Sequence, residues 1–188
     1  MVNSLAQTVL RMTSPGVPDL YQGTDFWDFS LVDPDNRRPV DYAARMQALE
    51  SQAEKPDIEN WRDGQIKQQL VRRTLQLRAR EPELFSRGEY VPLAVAGTLD
   101  GHVLAFARRL AGRSAMVVVT HLPVRILAQD GTPIVPSARW QDTAVLCPDT
   151  PDSTWQDIYT GARVRVVSGR LMLQEVLAHL PVAVLIEA

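Results

Sequence analysis

Residues 13–42 read TSPGVPDLYQGTDFWDFSLVDPDNRRPVDY, and how this stretch divides into strand, loop and helix decides what the rest of the chain supports. Val17 to Tyr21 is a short, mostly apolar run, opened by Pro15-Gly16 and followed by Gln22-Gly23. That is the pattern of a buried strand bounded by turn residues. The about sixteen residues that follow show neither a helical nor an alternating period, and loops of that length in compact domains are usually functional or disordered. Phe26, Trp27 and Phe29 predict order, because aromatic side chains favour a packed loop. Pro39 fits the first turn of a following helix. The unit is strand, polar-aromatic loop, helix, with ligand-type residues where the strand ends. Active-site loops of β/α barrels are built this way.

Outside this stretch the composition is that of an ordinary globular chain. Its 188 residues are 45% hydrophobic and 22% charged, with a net charge of −2, enough for one good core or two small ones. Arginines are scattered and balanced by acids, so a nucleic-acid footprint is absent. The pairs Arg72-Arg73 and Arg108-Arg109 are expected on solvated faces. Cys147 is the single cysteine, which excludes an intrachain disulfide and a Cys-rich metal site and fits a reducing cytoplasm. MVNSLAQTVLRM at the amino terminus has no basic n-region or continuous apolar h-region, so no signal peptide is expected. The apolar runs 115–119 and 182–186 are far shorter than the roughly 20 residues of a membrane span.

Residues 3 or 4 can cap a helix with Leu5, Val9 and Met12 at i, i+4 and i+7. A second helix from Pro39 presents Tyr42, Met46 and Leu49 and enters SQAEKPD, where Pro56 stops it. A third begins near Asp63 or Gly64, carries Ile66, Leu70, Val71, Leu75 and Leu77, and ends at Pro82. Beyond Gly88 the texture turns to short β runs. Residues 102–108 and 115–120 make a hairpin around 111–113. Further strands are expected at 124–128, 143–146, 162–167, 170–173 and 182–186, with turns at 129–132 and 168–169. Seven or eight short strands in this space predict an antiparallel sandwich.

GVPDLYQGTD resembles the last barrel strand of the α-amylase superfamily, where Gly-x-Pro runs into Tyr-Tyr/Gln-Gly-x-Glu. Arg37, Arg38 and Pro39 resemble its later Arg-x-Pro element. LVDPDNRRPVDYAAR, WRDGQIKQQLVRRTLQLRAREPELF and the closing LPVAVLI are similar to the carboxyl-terminal part of maltooligosyl trehalose synthases. One departure is visible: Asp25 stands where that pattern usually has Glu. The resemblance implies an α+β chain in which 1–86 supplies the last strand and flanking helices of a catalytic β/α barrel and 87–188 a carboxyl-terminal antiparallel β-sandwich. It also implies an enzyme that turns the reducing-end linkage of a maltooligosaccharide into a trehalose linkage. Its three catalytic carboxylates would lie on earlier barrel strands. A barrel takes about 250 residues, and twelve precede Thr13, so no catalytic residue is expected here and the chain alone is expected to be inert.

Weighed residue by residue, the loop reads as a binding wall. Asp33 and Asp35 suit turns, because an aspartate side chain bonds the backbone two residues on; sugar-hydroxyl binding is the competing role. Arg37 can orient a carboxylate or donate to sugar hydroxyls, or form a structural ion pair with a loop aspartate. Phe26 and Trp27 can stack on glucose or lie buried beneath the loop. Tyr21 and Gln22 sit at the strand end, and Asp19 within the strand needs a partner such as Arg11. The expected substrate-binding set is Tyr21, Gln22, Asp25, Asp33, Asn36 and Arg37. No cofactor is expected, and none of His102, His121 and His179 is expected to bind metal. The expected partners are a maltooligosaccharide and the remainder of the barrel, in the same or a separate chain; orphaned barrel pieces at 5–21 and 42–49 would expose apolar surface and favour self-association. A different class, a stand-alone carbohydrate-binding or scaffolding module, requires exposed aromatics on the β domain, with Trp140 and Trp155 the candidates.

Overall fold

The computed structural model describes residues 1–51 and 55–188. Its first element is helix α1 (Val2–Thr13). Leu5, Val9 and Met12, spaced along one stripe, are all fully buried, and each such side chain removed from water contributes roughly 1.5–3 kcal/mol. Helix α2 (Tyr42–Glu50) follows the loop and is capped by Asp41, whose carboxylate accepts from Ala44 N–H at 2.9 Å. It starts three residues later than Pro39 suggests. Its stripe of Tyr42, Met46 and Leu49 faces outward rather than into a core. The polar stretch expected to end this helix includes residues 52–54, which lie outside the described residues.

Helix α3 (Gln65–Arg80) leaves Gly64, which holds φ at +83°. A Cβ there would meet Trp27 N at 3.0 Å, so glycine serves both the left-handed backbone and the close approach of the loop. Ile66, Leu70, Val71 and Leu77 are buried as the periodicity predicts, while Leu75 is exposed. Pro82 ends α3 and opens the short helix α4 (Pro82–Ser86).

The remaining chain folds into nine strands among the described residues: β1 (Glu89–Pro92), β2 (Val95–Ala96), β3 (Val103–Leu110), β4 (Arg113–Thr120), β5 (Ala144–Leu146), β6 (Ser153–Asp157), β7 (Arg163–Val167), β8 (Arg170–Met172) and β9 (Val182–Glu187). They form one sheet in the order β1-β3-β4-β9-β6-β7-β8-β5-β2, antiparallel throughout. Antiparallel pairing was expected, but a single curled sheet stands where two stacked sheets were pictured. The curl follows from connectivity. β1 lies on one edge and β2 on the other, with only Leu93 and Ala94 between them, and the three steps from Pro92 to Val95 span at most about 11 Å. Leu93 N–H donates to Ala105 O and Ala94 O accepts from Leu146 N–H, so the two edges are drawn together.

Side chains alternate across this sheet. Met116, Val118, Ala183 and Leu185 point into the curl with Trp140, Trp155 and Leu171. Ala115, Val117, Val119, Val182 and Val184 point outward onto Leu5, Val9, Ile66, Leu70 and Phe85 of the helices. With both faces covered, β4 and β9 are buried along most of their length, which is why they read as continuous apolar runs. Cys147 lies inside the curl, fully buried, and burial pushes its thiol up to about 11.

Several expectations are corrected. Val17 to Tyr21 forms no strand: among the described residues no neighbouring strand lies beside it, Val17 is 96% exposed, and an isolated strand has no ladder to join. Asp19 is consequently exposed and needs no buried partner. Residues 124–128 are not a strand, since Pro123 opens a 3-10 turn over Pro123–Arg125. β1, β2 and β6 were not anticipated. Arg108 is not on a solvated face but 1% exposed.

Candidate functional site

The site begins where α1 ends. Met12 O accepts from Arg78 Nη1 at 2.7 Å and Thr13 O from Arg108 Nη1 at 3.0 Å. Two cations therefore sit at the negative end of the helix dipole. Arg108 also donates through Nη2 to Phe85 O at 3.0 Å and Gly88 O at 2.7 Å. Among the described residues no carboxylate is among its partners, and burial, reinforced by nearby Arg78, holds its pKa below the usual arginine value. These bonds fix the point at which the chain leaves α1 for the loop.

Past the unpaired extended stretch, Thr24 N–H and Thr24 Oγ1 both donate to Tyr21 O, closing a turn. Gly23 is held at φ +78°, and a Cβ there would fall 2.8 Å from Val40 Cγ2. The loop base from Gly23 to Trp27 is then gripped by α2, α3 and the turn before α3. Asp25 Oδ1 accepts from Arg45 Nε at 3.1 Å and its Oδ2 from Gln68 Nε2 at 2.8 Å. Arg45 Nη2 donates to Gly23 O at 2.7 Å, and its guanidinium lies 4.7 Å from the Phe26 ring centroid. Lys67 Nζ donates to Phe26 O at 3.1 Å. Burial lowers the Lys67 pKa, and Arg11 adds to this, opposed by Asp25 and Asp28. Trp27 Nε1 donates to Trp61 O at 2.7 Å, with the two rings edge to face at 6.4 Å.

Beyond the base, residues 28–38 project outward. Ser30 N–H donates to Asp28, and Leu31 N–H to Asp35 Oδ2, both at 2.8 Å. The Ser30 hydroxyl and then its N–H hold the Asp28 carboxyl below the ordinary carboxylate value, and the Leu31 N–H is the first cause holding Asp35 low. Asp35 also pairs with Arg38 and Asp33 with Arg37. The loop tip carries Phe29, Leu31 and Val32, 76–89% exposed.

Of the expected binding residues, Tyr21, Gln22, Asp33 and Arg37 are exposed. Gln22 Oε1 accepts from Tyr42 Oη at 3.2 Å. Asn36 is half-buried, and its Oδ1 has no hydrogen-bond partner among the described residues. Asp25 is drawn inward, both oxygens engaged. Trp27 packs beneath the loop against the outer core, whereas Phe29 does not pack. Arg45, Lys67 and Gln68 escaped sequence reasoning. A signal was present for Lys67, which lies four residues before Val71 on the buried stripe of α3; a polar residue there needs a local partner.

Chemically this is a wall of hydrogen-bond donors and acceptors on an anchored base. A general acid at neutral pH needs a raised pKa, and Asp28 and Asp35 are held low instead. Each loop aspartate from 25 to 41 already has a partner on this chain. Trp140 and Trp155 are buried at 0% and 2%, so they form no exposed platform, and the module reading loses its candidates. Among the described residues no helix is long and apolar enough to cross a membrane.

No family model matches the chain. Two curated relatives described as putative maltooligosyl trehalose synthases, from Mycobacterium tuberculosis strains CDC 1551 / Oshkosh and ATCC 25618 / H37Rv, are each 40% identical over 184 residues. That match covers 98% of this chain and 20% of each relative. The structure of maltooligosyltrehalose synthase from Arthrobacter ramosus aligns over the whole chain with a TM-score of 0.78 and 36% identity, covering 22% of that protein. An α-amylase from Geobacillus thermoleovorans shares the fold over 98% of this chain and 32% of its own, with a TM-score of 0.60 and 17% identity. Along its entire length, then, the chain is similar to maltooligosyl trehalose synthases, and it spans about a fifth of theirs.

Proposed function

We propose that this chain is the carboxyl-terminal portion of a maltooligosyl trehalose synthase, in which it forms a wall of the acceptor subsites and braces the catalytic barrel. The observation that carries the reading is the 40% identity to relatives five times its length; a loop rich in hydrogen-bonding side chains, with Asp28 and Asp35 held low rather than poised as acids, supports it. Residues 1–86 would complete the barrel, whose remaining strands would supply Val17 to Tyr21 with the ladder partner this chain lacks among its described residues, and 87–188 would form the β domain behind it. The exposed apolar side chains of Val17, Phe29, Leu31, Val32, Met46 and Leu49 would meet the remaining barrel.

On this reading a barrel carboxylate elsewhere displaces the terminal glucose and forms a covalent maltooligosyl intermediate. A second carboxyl protonates the departing oxygen. The retained glucose then attacks through its anomeric hydroxyl, giving up that proton to the same group and releasing the enzyme carboxylate. No water is consumed, so the net reaction is an isomerisation. Tyr21, Gln22, Asp33, Asn36 and Arg37 would hold the glucose for that attack, with Asp25 setting the base beneath them. The single buried thiol fits a cytoplasmic enzyme.

Intact mass of the product made from the native gene in its own cells tests this. A mass near five times 21.0 kDa is expected, from the 20% coverage of the relatives. A mass near 21.0 kDa would refute the assignment to a single synthase chain.

A further inference from the structure

Asp25 belongs to the expected binding set, yet its carboxylate is already committed within this chain. Its two oxygens are taken by Arg45 and Gln68, from helices 20 and 43 residues away in sequence. Arg45, only 17% exposed, spends three nitrogens on this chain: Nε on Asp25, Nη2 on Gly23 O, and Nη1 on Asp41 O at 3.0 Å. Gln68 is 4% exposed, and its amide also donates to Arg45 O at 3.1 Å. These groups therefore form a closed cross-brace between α2, α3 and the loop base. The geometry points to Arg45 and Gln68 as positioning residues that fix the Gly23–Trp27 base, so that Gln22 on one side and residues 28–38 on the other hold the acceptor glucose in register for transfer. This deepens the synthase reading and rests on it.

An acceptor wall that shifts leaves the retained glucose misaligned and admits water to the same intermediate. Loss of the brace should therefore change how the intermediate partitions between transfer and hydrolysis, a quantity that mere destabilisation would not move. The test uses the complete synthase with Arg45→Gln, Gln68→Leu, Asp25→Asn and the Asp25→Asn/Arg45→Gln pair, incubated with maltopentaose well below each melting temperature. Trehalose-linked product is compared with free glucose. A rise of about fivefold or more in the hydrolysed fraction is expected for Arg45→Gln, the double variant being no worse than the more severe single, because residues sharing one contact are not additive. Arg45→Lys, which keeps the charge but loses the fork, should restore the partition only in part. An unchanged partition with lowered overall rate or melting temperature would overturn the positioning role while leaving the synthase reading intact. A wild-type enzyme making no trehalose linkage would overturn both. Independently, hydrogen exchange on the complete synthase should show faster amide exchange across residues 23–27 in Arg45→Gln. Unaltered exchange there would refute the brace itself.

Discussion

Replacing Arg108 by Met should destabilise the protein by about 3 kcal/mol, and replacing it by Lys should be no milder. The guanidinium is 1% exposed and bonds three carbonyls, Thr13 O, Phe85 O and Gly88 O. Hydrogen bonds from a charged donor contribute about 1.5–3 kcal/mol each, so three amount to roughly 4.5–9 kcal/mol. Against this stands the cost of burying a cation without a carboxylate partner, several kcal/mol in practice. Met fills similar volume and removes both, leaving the smaller difference. Lys retains the charge, and a single ammonium does not span carbonyls on α1, α4 and the turn before β1. Urea unfolding at neutral pH reads this directly. With a slope of about 2 kcal/mol/M, the midpoint should fall by about 1.5 M. A Lys variant as stable as wild type, or a Met variant shifted by less than about 0.3 M, would refute the account of Arg108 as a three-way tie.

Trp140 is fully buried but its indole N–H has no partner among the described residues; Trp140→Phe should therefore cost only about 1 kcal/mol, against about 3–5 kcal/mol for Trp140→Ala, measured by thermal melts. Asp157 accepts from Thr160, Tyr159 and Val184, yet burial outweighs these bonds and raises its pKa above 3.8. The native state then holds more protons than the unfolded one above that pH, so this carboxyl's contribution to stability falls as pH rises toward its folded pKa. The gap in urea midpoint between wild type and Asp157→Asn should narrow over that interval; a gap that widens would contradict the sign.

What sequence disclosed and what it withheld divide along the range of the interactions. α1 and α3 were legible because their apolar spacing is local, and the β3-β4 hairpin because Ala111-Gly112 supplies two left-handed residues between an alternating run and a continuous apolar one. β6 was not, since Ser153–Asp157 is polar apart from Trp155 and owes its place to β7 and β9. Val17 to Tyr21 has a strand's composition, but a strand exists only where a partner ladder does. Arg108 alternates with Phe106 toward the helices, a face that its charge alone conceals. In the candidate site, residues 21–37 stood out by composition, while the groups that anchor them, Arg45, Lys67 and Gln68, come from distant helices that no local pattern links to the loop.

The linkage made by the proposed full-length synthase is the most direct test. Proton NMR of its products from maltopentaose should show reducing-end signals replaced by an α,α-1,1-linked anomeric signal with no shortening of the chain. Shorter reducing sugars without that signal would mean hydrolysis instead, and would contradict the proposed role of the loop as an acceptor wall.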